Sequence, residues 1–248
     1  MPQNSYLCVQ TQKEKTMLTK KDFWFISACL IVFAPFFLFE SLYYGYLDFN
    51  ADHGMIMSFL KFAVLATLGE VIGLRIRTGA YNQPGFGIIP RAIVWGFLGL
   101  TIKMSFVIFG VGTPVFLKYL GITNATEAMK GGLSLLKIFV AFSISTAMNL
   151  IYAPVMMTLH KITDTHIISN GGTIACLFKP IQFRKIFVEL NWEVQWSFVF
   201  KKTIPFFWIP AHTITFLLPE DFQVLFAAIL SIALGVFLAV AAQLSKGK

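Results

Sequence analysis

The chain has 248 residues, of which 56% are hydrophobic and 13% are charged, and its net charge is +8. Soluble domains carry about 25% charged residues, so this composition excludes a soluble globular protein and predicts an all-α polytopic membrane protein. The positive charges lie in tails and links beside apolar segments, which favours a membrane protein over a nucleic-acid-binding one. The three cysteines show no metal or redox spacing, and neither a metal nor a cofactor is expected.

After a basic tail over residues 1–22, the remainder of the chain is predicted to be one transmembrane helical domain, residues 23–248. Six apolar segments in it are long enough to cross a bilayer. They cover residues 23–47, 55–74, 92–117, 133–159, 192–218 and 222–242. Pro35 predicts a kink in the first segment. The long link 160–191 contains Ile181–Leu190, which is predicted to be an interfacial amphipathic helix.

The distribution of basic residues predicts the orientation. Of the 20 Lys and Arg residues, 13 fall in the two tails and in the second and fourth links, whereas only Lys118 and Lys130 fall in the other links. Because basic links stay on the cytosolic side, both termini are predicted to be cytosolic. The membrane is predicted to be a bacterial cytoplasmic membrane or an organelle membrane.

Small residues at four-residue spacing predict where helices meet. Gly69 and Gly73 form a G-x-x-x-G motif in the second segment, which lets two helix backbones approach closely. Ala141 and Ser145 begin a similar stripe in the fourth segment, and Asn149 continues it. Both stripes are predicted to be helix-packing surfaces.

Polar residues inside the apolar segments predict a polar path through the membrane, because an unpaired charge there costs about 2.5–3.5 kcal/mol. The predicted lining residues are Glu40, Lys61, Glu70, Lys103, Lys137, Asn149, Lys201, Lys202, His212 and Thr215.

The depths of these charges suggest which of them pair. Glu40 is expected to pair with Lys61 or Lys137, and Glu70 with Lys201 or Lys202. The lysines outnumber the acids, which favours water or an anionic ligand beside them. The opposite interpretation is that these residues are paired only to hold helices together.

The leading functional hypothesis is a channel-like or carrier-like protein for small solutes or ions. Two alternatives remain open: a non-transporting membrane scaffold, and a membrane enzyme that acts on a lipid. The sequence contains no recognisable nucleophile-and-base or zinc-protease motif, so an enzyme is not the favoured hypothesis. The expected partners are the lipid bilayer and a small solute or ion, without nucleic acid, and the sequence is compatible with a homo-oligomer.

Four different short motifs lie in the second to fifth segments or directly before them. They are a Gly–acid pair, an Arg followed eight residues later by Gly, an amide followed five residues later by Pro, and Trp-x-Pro. The residues are Gly69, Glu70, Arg91, Gly99, Asn149, Pro154, Trp208 and Pro210. Over about residues 55–242 this set resembles the Mpv-seventeen and peroxisomal-membrane-protein family, small integral proteins of peroxisomes and the mitochondrial inner membrane.

The resemblance implies a weakly selective pore, or a protein that supports exchange of small solutes. Several polar positions of the family differ here. His212 stands at the family's Gln position and Thr215 at its Asn position, and Leu234 and Gly235 replace a Trp–Asn pair. These differences remove polar groups that the family places in its last helices.

Overall fold

A computed structural model describes the backbone of residues 19–246 and the side chains of residues 19–237. All regular elements in this part of the chain are helices. They form two compact units, one of the described residues up to Phe49 and one from Asn50 onward. Residues 1–18, which make up most of the predicted tail, lie outside the described residues.

The first unit is built from three short helices: α1 (Lys20–Phe33), α2 (Pro35–Leu38) and α3 (Glu40–Asp52), whose last residues belong to the second unit. The sequence predicts one kinked span over residues 23–47. Pro35 ends α1 because it has no N–H to donate and its ring collides with the preceding turn. A second break follows at Phe39, whose backbone is extended.

The second unit contains the long helices. They are α4 (Gly54–Thr78), α5 (Ile88–Tyr119), α6 (Ala125–Lys130), α7 (Leu135–Ile151), α8 (Ala153–Ser169), a 3-10 helix (Ile174–Phe178), α9 (Phe183–Glu189), α10 (Trp192–Val194), a π-helix (Gln195–Trp208), α11 (Ile209–Leu217) and α12 (Glu220–Lys246). Helix α4 is central and packs against α5 and α12, while α7 packs against α5 and α11.

Three of these helices are long and apolar enough to cross a membrane: α4, α5 and the Glu220–Phe237 part of α12. Helices α7 and α8 make a fourth if they are counted as one span bent by 44°. Within the described residues the protein is therefore a helical membrane protein with three or four such spans. The bend follows from Pro154, which cannot donate a hydrogen bond to the preceding turn.

Two helix ends differ from the predicted boundaries in ways that matter for the site. Helix α5 begins at Ile88, so Arg91 lies in its first turn and not in a loop. Pro90 is compatible with that start because the first turn needs no N–H donors. Helix α8 continues to Ser169, so the first third of the predicted link 160–191 is helical.

The fifth apolar segment is a π-helix followed by α11. In a π-helix each N–H bonds to the carbonyl five residues back, so an α-helical wheel misplaces its side chains. Lys201 and His212 fall on one stripe of such a wheel, yet Lys201 is exposed and His212 is buried. The Thr203 hydroxyl donates to the carbonyl of Phe198 at 3.3 Å and so satisfies a backbone acceptor within this helix.

The G-x-x-x-G motif of α4 faces α12. A Cβ atom added to Gly69 would lie 2.8 Å from the Cα of Ile232, and one added to Gly235 would lie 2.9 Å from the carbonyl oxygen of Gly69. Around Gly73 the nearest atom would be the flexible end of Arg77, at 3.3 Å. The two backbones therefore touch at Gly69 and Gly235.

We expect Gly69→Ala to lower the free energy of unfolding by about 1–3 kcal/mol, since the added methyl group meets backbone that cannot rotate away. Gly73→Ala should cost much less, because Arg77 can move. Gly110→Ala is the control, as a Cβ there has nothing within 4 Å. Denaturation in mixed detergent micelles measures all three, and equal stability of the Gly69 and Gly110 variants would contradict this packing.

Candidate functional site

A network of charged side chains joins α4, α5 and α8 at the end of the second unit that carries Arg75, Arg77 and Arg91, here called the basic end. Glu70 is its centre. One carboxylate oxygen lies 2.5 Å from a guanidinium nitrogen of Arg91. The other accepts a hydrogen bond from the Trp95 indole at 2.9 Å and lies 3.1 Å from Nε2 of His160.

Arg91 connects this network to a second acid. Its side chain is 6% exposed, and it also forms an ion pair with Asp164 of α8. Its Nε donates to the carbonyl of Phe86 at 2.7 Å, and its guanidinium lies over the Phe86 ring. One cation thus holds two carboxylates from two helices, which compensates charges that would be costly to bury alone.

The predicted pairing of Glu70 with Lys201 or Lys202 is wrong. Both lysines are exposed, and Lys201 lies over the Trp196 ring at 5.7 Å. The pairing was predicted because the two lysines and Glu70 lie at a similar depth in the membrane. In the structure, however, the π-helix directs both lysine side chains away from the helix bundle. The partner is Arg91, which lies one residue before the predicted third segment and in the first turn of α5.

A cavity of about 320 Å³ opens beside this network. It is called here the larger cavity. Its volume is within the range of small-molecule sites. Its walls come from α4, α5, α8, the π-helix and α12, and its polar lining residues are Glu70, Trp95, His160, Lys161, Gln195, Thr203, Trp208 and Ser231.

Two donors on the wall of the larger cavity have no hydrogen-bond partner in the described part of the chain. They are Nε2 of Gln195 and Nε1 of Trp208. Gln195 is 7% exposed and Trp208 is 8% exposed. A buried donor without a partner costs about 1–3 kcal/mol.

A second cavity, of about 30 Å³, adjoins the first and is called here the smaller cavity. Met156, Met157, Trp208 and Ser231 line both. Thirty cubic ångströms is about the volume of one water molecule. The two cavities are therefore neighbours that share part of one wall, to which Trp208 contributes.

Two of the predicted lining residues, Asn149 and His212, meet at the smaller cavity. The Asn149 amide donates to the carbonyl of Ser145 at 2.8 Å and lies 3.1 Å from Nδ1 of His212, which makes Nδ1 the acceptor. The Trp208 ring stacks on the imidazole with centroids 5.1 Å apart. Ser145 donates to the carbonyl of Ile209 at 2.7 Å and so joins α7 to α11.

At the opposite end, Lys61 is buried and donates to the Asn50 side chain at 2.5 Å. Asn50 in turn donates to Asp221 at 3.5 Å. Lys103 is half-buried, with its side chain passing Gly54. The residues of this cluster, here called the acidic end, line neither cavity.

The other predicted lining residues do not reach the cavities. Glu40 is exposed in the first unit. Lys137 donates to the carbonyl of Gly131 at 2.8 Å. Thr215 is fully buried, but its hydroxyl donates to the carbonyl of Ala211. Ala141 is fully buried in the core.

Two loops pack against each other below the network at the basic end. A Cβ on Gly172 would lie 2.7 Å from the carbonyl of Gly85 and the amide of Gly87, so the backbones are in contact. The link that follows folds back onto α8, where the His166 ring bonds to the carbonyl of Cys176 at 2.9 Å. Burial raises the pKa of the Cys176 thiol.

The residues that sequence reasoning missed carried a recognisable signal. Arg91 and Trp95 are four residues apart, as are His160 and Asp164, so each pair lies on one helix face. If the end of the second link and the start of the fourth link are taken as helical, both pairs fall at the same level of the helix bundle as Glu70. Gln195 had no such signal.

These features define a helical integral membrane protein with a partly polar chamber among its helices. No family model matches the chain, and neither a curated protein nor a solved structure matches it.

Proposed function

We propose that this protein lets small polar solutes pass through a membrane, with the larger cavity as a vestibule and the smaller cavity as a constriction. The observation that carries the proposal is that the two cavities lie next to each other among the helices and share four lining residues. The scaffold alternative predicts no solute flux.

The proposal includes a topology of six spans with both termini on the cytosolic side. The 13 basic residues of the tails and of the second and fourth links support it. In that orientation the vestibule opens toward the cytosolic side, and the acidic end faces outward. The first and fifth spans would then be broken helices, which are tolerated where protein or a water-filled cavity satisfies the backbone.

We also propose a distant relationship to the Mpv-seventeen and peroxisomal-membrane-protein family. The matched Glu70, Arg91, Asn149 and Trp208 support it, since each contributes to the network or lines a cavity. On this proposal the membrane is that of an organelle or, in a bacterium, the cytoplasmic membrane.

The constriction is made by packed side chains, chiefly Phe106 with Phe62 and Ile102. Phe106 is 5% exposed, and its ring lies edge-on to His212 with centroids 5.8 Å apart. At the volume of one water molecule, this site blocks larger solutes until the rings move apart. Removing the Phe106 ring should therefore widen the narrowest point.

We expect Phe106→Ala to increase the permeation of glycerol and erythritol severalfold. The measurement is the swelling of liposomes that contain the purified full chain, followed by light scattering. Neutral polyols are used so that charge does not contribute. Because Phe→Ala in a core costs about 3–5 kcal/mol, Phe106→Leu is tested as well and should give an intermediate rate.

Phe116→Ala is the matched control, since Phe116 lies on the same helix but is 57% exposed. Liposomes with this variant should swell at the same rate as liposomes with the unchanged protein. If the unchanged protein and folded Phe106 variants swell no faster than empty liposomes, the transport proposal fails and the scaffold alternative is favoured.

A further inference from the structure

The part of the chain that follows the loops at the basic end exposes aromatic and basic side chains together. It covers residues 179–202, from the residue after the 3-10 helix through α9 and α10 into the π-helix, and is called here the interfacial segment. In α9 only Ile186 is buried, and the other six residues are exposed. Because α9 packs against α8, its exposed side faces away from the rest of the second unit.

The interfacial segment carries an excess of positive charge. It contains five basic and two acidic residues, so its net charge is +3. The five basic residues are all exposed, and they are Lys179, Arg184, Lys185, Lys201 and Lys202. None of them forms an ion pair within the described part of the chain. These cations are therefore available to an anionic partner.

A row of aromatic rings lies beside these charges. Phe183 and Phe187 stack with ring centroids 6.2 Å apart, and the Trp192 ring meets Phe187 edge-on at 4.9 Å. The Trp192 indole donates to the carbonyl of Phe187 at 2.9 Å, which holds the row in place on α9. Phe183 is 50% exposed and Phe187 is 40% exposed. Exposed rings next to basic side chains are typical of a helix that lies in the interface of a membrane.

Two observations indicate that the segment lies at the level of the lipid headgroups. Gln195 lines the larger cavity together with Glu70 and His160, so the π-helix begins at the basic end. Lys201 lies farther along this helix, yet its ammonium group is 5.7 Å from the ring centroid of Trp196. The lysine side chain therefore extends back toward the basic end, as lysines on the outside of membrane helices do to reach the headgroups.

We infer that the interfacial segment binds anionic phospholipids of the leaflet at the basic end. The aromatic row contacts the acyl chains where they meet the headgroups, and Arg184, Lys185 and Lys201 contact the anionic headgroups. A zwitterionic lipid gains less from the excess of positive charge, because its headgroup carries a cation of its own. This lipid site does not depend on whether solutes cross the membrane through the cavities.

The measurement is native mass spectrometry of the purified full chain, titrated with dioleoylphosphatidylglycerol or dioleoylphosphatidylcholine. The two lipids have the same acyl chains and differ in headgroup charge. One basic residue near an anionic lipid surface contributes about fivefold in affinity, so several together should make phosphatidylglycerol bind about tenfold tighter or more. Equal affinities for the two lipids would overturn the inference.

The decisive variant removes two of the exposed charges, Arg184→Gln with Lys185→Gln. It should reduce the preference for phosphatidylglycerol to about twofold or less. The control, Lys118→Gln with Lys130→Gln, removes the same charge from exposed positions after α5 begins its last turn and at the end of α6. It should keep the full preference. Equal losses in the two variants would show a general effect of net charge and would reject the site.

The aromatic part of the site is tested with Phe183→Ser and Val188→Ser in one chain, since both side chains are exposed. This variant should weaken both lipids about threefold or more and leave the ratio of their affinities unchanged. Unchanged affinities would count against contact between the rings and the acyl chains.

The same spectra report the mass of any oligomer. If the Arg184, Lys185 variant loses a dimer but keeps its lipid preference, the segment binds a second copy of the chain and the inference is rejected.

Discussion

Replacing Arg91 with Met should lower the free energy of unfolding by about 3–5 kcal/mol. The guanidinium holds Glu70 and Asp164 together, so its loss leaves two carboxylates from different helices with reduced compensation. The penalty of removing one partner of a buried pair comes mostly from the charge that remains. Denaturation in mixed detergent micelles is the measurement.

The reason for this loss can be separated from a simple packing defect. The triple variant Arg91→Met, Glu70→Gln, Asp164→Asn removes all three charges and should recover most of the stability. Arg184→Met, at an exposed position of α9, is the control and should lie within about 0.5 kcal/mol of the unchanged protein. A triple variant no more stable than Arg91→Met would show that charge compensation is not the cause.

The second large effect is expected for Gly172→Ala, which should lower the free energy of unfolding by about 2–5 kcal/mol. Its φ of +66° is left-handed, which costs an L residue about 1–2 kcal/mol, and the new methyl group would lie 2.7 Å from backbone atoms of Gly85 and Gly87. The two loops would have to separate at the basic end.

The neighbouring glycine provides a control for this second prediction. Gly171 also has a positive φ, +76°, but a Cβ there has nothing within 4 Å. Gly171→Ala should therefore cost only the backbone part, about 1–2 kcal/mol. Equal losses at the two positions would mean that the loops do not press together. Thermal melting with several probes would show whether the loss is global.

Much of the fold follows from the sequence because long apolar runs determine the helices that cross a membrane. The segments around α4, α5 and α12 were predicted within a few residues. Three other runs, each containing at least one proline, were not. Pro35 and Pro154 divide two predicted spans, and the segment containing Pro205 forms a π-helix that a period of 3.6 residues cannot describe.

The site could be predicted only in outline. Glu70 was correctly expected to need a cation, since a carboxylate among apolar helices must be compensated. The choice of cation depended on where α5 begins, and a boundary error of four residues moved Arg91 from the helix to a loop. The N–H groups of Gln195 and Trp208 could not be singled out from the sequence, because their lack of a hydrogen-bond partner depends on the three-dimensional packing.

The contact between Gly69 and Gly235 has a consequence for how the larger cavity can change size. Because the two backbones are in contact, α4 and α12 have little freedom to move relative to each other. The part of the cavity wall formed by Ala66, Glu70 and Gly235 is therefore rigid. The facing wall consists of methionine side chains and a π-helix, which change conformation more easily than the α4–α12 contact. We therefore expect the cavity to dilate asymmetrically, by yielding on the π-helix side alone.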